Sequence, residues 1–69
     1  MKTYKVTLFQ KGYELCPYVQ TVEAKSLDDA TEKAKEIVAK IGWWGTLESK
    51  PIEEKTKLLV VKSIELINE

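Results

Sequence analysis

The chain of 69 residues contains no histidine and no arginine, one cysteine, two prolines and three glycines. Each scarcity removes a class of activity. Without histidine the commonest general acid–base and metal-ligating side chain is missing, and no Ser/His or Cys/His nucleophile can be assembled. Without arginine the bidentate contacts to phosphate and to guanine are missing too. A lone Cys16 permits no intrachain disulfide and marks no oxidising compartment, and its thiol reads as a buried or half-buried side chain. No apolar run approaches the roughly 20 residues of a membrane-spanning helix. Met1 to Tyr4 lead straight into an alternating pattern in place of a signal-peptide apolar stretch. The expected setting is cytoplasmic, with no membrane partner.

Charge of one sign is also lacking, since eleven lysines balance eleven acidic residues. A duplex-binding module of this size normally carries one-sided basic charge, so nucleic acid is a disfavoured partner. Two acidic pairs are present, but Asp28-Asp29 suit a helix start and Glu53-Glu54 a solvated turn. No Cys, Asp and Glu spacing suits a metal, and Gly12, Gly42 and Gly45 do not compose a phosphate loop. The expectation is a protein that is not an enzyme and carries no cofactor and no metal.

What the sequence does contain is patterning. With 43% hydrophobic and 32% charged residues it has the composition of an ordinary globular chain, and residues 1–69 make a single domain. From Thr3 to Gln10 the residues alternate, Tyr4, Val6 and Leu8 against Lys5, Thr7 and Phe9, which predicts a half-buried strand. Lys11-Gly12 supplies a two-residue hairpin turn, and a second strand is expected from about Tyr13 to Lys25, with a bulge or edge position near Cys16-Pro17. Ser26 followed by Asp29 gives a capping-box pattern at the start of a helix over 27–41. Leu27, Ala30, Ala34, Ile37, Val38 and Ile41 form its apolar stripe, and Asp29–Lys33 and Glu36–Lys40 are i,i+4 pairs on its solvated side. Gly42 stands where a left-handed C-terminal cap is expected.

Residues 43–56 show no clear period, and a loop of that length points to hidden structure: a short strand near 44–48 or a helical turn at 52–55. A last strand is expected over 57–67, with Leu58, Val60, Ile64 and Leu66 on one face and Leu59, Val61 and Ile67 on the other. The sum is an α+β fold, β-β-α-β, with a mainly antiparallel three-stranded sheet of order 2-1-3 and one helix on one face.

The junction Ala24-Lys25-Ser26-Leu27-Asp28-Asp29-Ala30-Thr31-Glu32-Lys33-Ala34 resembles that of small bacteriophage host-takeover proteins. The resemblance implies a phage or mobile-element protein whose partner is a host protein. In a member of that group that inhibits bacterial RNA polymerase, arginines of the last strand reach the target. This chain has only Lys57 and Lys62 there, so the contact surface does not carry over.

Two surfaces are the candidates for partner binding. One is the Trp43-Trp44 pair between glycines: one Trp is expected to plug the core and its neighbour to stand exposed as an anchor. Sequence leaves open which is which, with helix-end geometry favouring Trp43 inside. The other is the open sheet face, where the alternation places Phe9, Val19, Leu59 and Val61 with Thr7 and Thr21, unless the loop over 43–56 folds back to cover it. That face suits a host protein or a second copy of the chain, and nucleic acid is the alternative occupant.

Overall fold

Alternation in the first ten residues and the Ser26 cap produce the two elements on which everything else is laid. In the computed structural model, which describes residues 1–42 and 44–68, strand β1 spans Lys2–Gln10 and helix α1 spans Leu27–Ile41. Strand β2 is Tyr18–Ala24 and strand β3 is Leu59–Asn68, both antiparallel to the central β1 in the order β2-β1-β3. A 3-10 turn at Gly45–Leu47 and a short helix α2 at Ile52–Lys57 connect α1 to β3. The fold is the expected α+β arrangement.

Tyr4, Val6, Leu8 and Gln10 of β1 point to the helix side and are buried, while Lys5, Thr7 and Phe9 point away. Register carries this division to β2, where Tyr18, Val22 and Ala24 share the inner face and Val19, Thr21 and Glu23 the outer one. Against the inner face lie Ala30, Ala34, Val38 and Ala39 of α1. The buried stripe is therefore narrower than the apolar pattern of the sequence. Leu27 and Ile41, at the two ends of the helix, are mostly exposed.

Strand β2 begins five residues later than the sequence suggests. The chain instead makes two consecutive turns over 11–17, closed by Tyr13 N–H to the Gln10 carbonyl (2.8 Å) and Cys16 N–H to the Tyr13 carbonyl (3.1 Å). Gly12 supports the first with φ of 92°, a value that favours glycine. Pro17, without an N–H, cannot extend the ladder, and Cys16 is exposed in this loop rather than buried.

Gly42 also departs from expectation. Its φ of −68° and ψ of 159° are extended, so no left-handed cap forms. Glycine is needed there for space: a Cβ would lie 2.7 Å from the Val38 carbonyl oxygen, which already accepts from the Gly42 N–H at 2.8 Å. Of the structures expected over 43–56 the helical one forms, as α2, and the strand does not. Lys57 ends α2 and Leu58 caps it, so neither belongs to β3.

The start of α1 follows its sequence closely. Asp29 N–H donates to Ser26 Oγ (3.2 Å), and Asp29 Oδ2 accepts from Lys25 N–H (3.1 Å) and pairs with Lys33 Nζ (3.4 Å). The other expected pair, Glu36 and Lys40, makes no ion pair. Ser26→Ala is expected to lower stability by about 1 kcal/mol through loss of this cap. An unchanged urea midpoint would contradict it.

The Lys25 N–H, more than anything else, holds the Asp29 carboxyl below its ordinary value; desolvation opposes this, and Lys33 adds to the lowering. A depressed carboxyl contributes stability that is fully present above its unfolded pKa and is lost as pH falls through the folded one. The stability gap between wild type and Asp29→Asn should therefore be open at neutral pH and close in the acid range. Paired urea melts test this, and a gap that stays constant on acidification would show that the carboxylate charge contributes nothing.

Candidate protein-binding surface

Register and the first of two irregularities in the β1–β3 ladder, at Lys62 (the second, at Ile67, lies near the end of the strand), decide what the open sheet face displays. Leu8 pairs with Val61 and Thr7 with Ser63, so Lys62 is an extra residue, a bulge, in the β3 ladder. The side chains before the bulge are consequently shifted by one position relative to those after it. Leu59 and Val61 then share the helix-side face with Ile64 and Leu66, and Val60 takes the outer position opposite Phe9.

Two of the six residues expected to bind a partner thus move to the other side of the sheet. Leu59 is buried in the core, and Val61 is half-buried against it. Strict alternation across Lys62 put them on the wrong face. The sequence held one warning: Val61 and Ile64, three apart, can both point inward only if an extra residue separates them. Phe9 and Val19 do lie on the open face, Phe9 half-buried and Val19 exposed.

With Val60, 41% exposed, Phe9 and Val19 form an apolar cluster at the loop end of this face, since Thr7 lies opposite Val19 and Phe9 opposite Val60. Tyr13 and Leu15, in the loop between β1 and β2, are also exposed, Leu15 by 97%. Leu15 has no periodic neighbours, so no pattern could reveal it. Away from this end the face is polar, with Thr3, Lys5 and Thr7 of β1 between Thr21 and Glu23 on one side and Ser63 and Glu65 on the other. Lys5 lies directly opposite Glu65, a favourable cross-strand combination. Of the described part of the segment over 43–56, α2 packs against α1 and so lies on the helix side, away from the open face.

Trp44 is the core plug, 4% exposed, and so not an exposed anchor. Trp43, the other candidate anchor, lies outside the described residues. The expectation that Trp43 lies inside falls on a residue outside the described ones; Trp44 follows the extended Gly42 into the core. Lys55 of α2 reaches over its ring, with Nζ 5.7 Å from the centroid, and donates to the Glu48 carbonyl oxygen at 3.0 Å. The Glu48 carboxylate stands 3.9 Å from the same ammonium. A cation–π contact and a carbonyl together offset the cost of a lysine only 6% exposed. The Trp44 indole Nε1 has no hydrogen-bond partner among the described residues.

Among the described residues no group of three or more His, Cys, Asp or Glu side chains is placed to hold a metal ion, and no helix is long and apolar enough to cross a membrane. Compared with known proteins, the chain matches no family model, no curated protein and no solved structure.

Trp44→Ala should remove both the plug and the platform for Lys55, costing about 3 to 5 kcal/mol, the range for truncating a buried large aromatic. In so small a domain this is enough to unfold much of the population at room temperature. A melting temperature within a degree or two of wild type would mean that Trp44 is not structural.

Proposed function

We propose that the chain is a non-enzymatic protein-binding module that docks on a host protein through the apolar end of its open sheet face. The observation that supports this reading is that Phe9, Val19 and Val60 share one end of the open face, with Tyr13 and Leu15 exposed in the loop between β1 and β2. Apolar side chains gathered at one end of a mainly polar face favour an interaction site there. The strand-to-helix junction over 24–34, which resembles that of small phage host-takeover proteins, favours a host protein in the cytoplasm as the target. The nucleic-acid alternative draws no support from this face, where Glu23 and Glu65 flank Lys5 and leave no basic track.

Val19→Asp with Val60→Asp tests the reading, because both side chains are exposed and their replacement leaves the core intact. Immobilised wild-type chain is expected to retain a host protein that the double variant, with an unchanged circular dichroism spectrum, loses. Weakening by about 2 kcal/mol or more is the expectation for a hot-spot pair. Equal retention by the two forms would dismiss this surface. Binding to DNA or RNA that weakens steeply with salt would instead point to the nucleic-acid reading.

A further inference from the structure

Two observations on the helix side of the sheet meet at Gly42. The first is the Trp44 indole N–H, a hydrogen-bond donor with no acceptor function, in a side chain only 4% exposed; among the described residues no atom accepts from it. An unpaired buried donor forfeits the bond it makes to water in the unfolded chain, a heavy penalty for a small domain. The second is what surrounds the side-chain position that Gly42 leaves open. A Cβ there would lie 2.7 Å from the Val38 carbonyl oxygen, 3.4 Å from Trp44 Nε1 and 3.4 Å from the Tyr18 hydroxyl oxygen. Apart from the glycine's neighbours in the chain, the three atoms nearest to that point are thus all polar. They come from the last turn of α1, the core plug and the start of β2. A carbon atom would satisfy none of them. Glycine keeps the place clear, and Gly42 is itself only half-buried, which gives a small molecule a way in.

We propose that this notch beside Gly42 is a binding site for one ordered water molecule, which accepts from the Trp44 Nε1–H and donates to the Val38 carbonyl oxygen. That carbonyl has a second lone pair to offer, since the Gly42 N–H takes one of its two at 2.8 Å. The Tyr18 hydroxyl, which accepts from Gln10 Nε2 at 3.3 Å, is the third polar neighbour. An internal water needs two to four such partners, so the site meets the requirement. Size selects water over other acceptors. A peptide carbonyl or a carboxylate carries a carbon behind its oxygen, and the Val38 oxygen that leaves no room for a Cβ at Gly42 crowds that carbon as well. Held there, the water joins the end of α1, the first residue of β2 and the Trp44 plug at the point where the chain leaves the helix, and it removes the penalty of the buried indole donor. The inference concerns the helix side of the sheet and is independent of the docking reading, which concerns the open face.

NMR of the isotope-labelled wild-type chain tests it. The Trp44 indole proton, assigned through bonds, should show a cross-peak at the water frequency that changes sign between laboratory-frame and rotating-frame Overhauser spectra, as dipolar contact with a long-lived water requires. A cross-peak of the same sign in both would mean that the indole proton exchanges with bulk solvent. No cross-peak would mean that the donor stays dry. Either result overturns the proposal. Tyr18→Phe then separates a bound water from a relay through the tyrosine hydroxyl, whose proton also exchanges with solvent. With an unchanged circular dichroism spectrum, this variant should keep the sign-changing cross-peak, because Trp44 and Val38 still hold the water. Its loss would assign the signal to the hydroxyl and overturn the proposal too.

Discussion

The close approach of α1 to the β1–β2 pair is the contact on which the rest of the molecule depends. Its buried side is built from Ala30, Ala34 and Ala39 with Val38 as the single larger residue, all essentially without solvent exposure. Small side chains let a helix backbone settle near a sheet, and they leave little volume with which to reach sideways. A helix of this kind covers two strands well and a third poorly. The short helix α2, the Trp44 plug and the half-covered β3 are all consequences of that choice.

α2 makes up part of the deficit, and it cannot do so unaided. Six residues are far too few for a helix to persist on its own in water, so tertiary contacts must hold it. Lys55 provides them by turning its ammonium inward over Trp44 and onto the Glu48 carbonyl. A buried lysine is an expensive choice compared with a leucine, but it ties three otherwise irregular segments to one point: the 3-10 turn, the loop before Pro51 and α2. Gly42 belongs to the same construction, since it gives the chain the close passage past Val38 that brings Trp44 into the core.

Elements with a strong local cause were legible in the sequence. The Ser26 cap and the 3.6-residue period define α1 to its ends, and the alternation of β1 assigns Tyr4, Val6 and Leu8, and Lys5, Thr7 and Phe9, to the right faces. Legibility failed where the deciding contact is distant in sequence. Gly42 was read through its conformation, whereas the reason for glycine is steric pressure from Val38 and the approach of Trp44. The face of Leu59 and Val61 depended on a bulge that is defined only by pairing with Thr7 and Leu8 of β1. The candidate surface was accordingly half visible: Phe9 and Val19 lie on regular strands before any irregularity, while Val60 required the bulge and Leu15 required the two turns.

The same bulge has opposite consequences for the two faces of β3. By admitting Lys62 as an extra residue it lets Leu59, Val61, Ile64 and Leu66 form one apolar row under and beside α1, although they are unevenly spaced in the sequence. On the outer face it brings Val60 beside Phe9 and then gives way at once to Ser63 and Glu65, so apolar surface stops after a single residue from this strand. Without the bulge, one half of β3 would have to present its apolar side chains to water or its charges to the helix. The residue inserted at Lys62 thus reconciles an inner face that is apolar from Leu59 to Leu66 with an outer face that turns polar after Val60, and it keeps Val60 at the end of the sheet where Phe9 and Val19 lie.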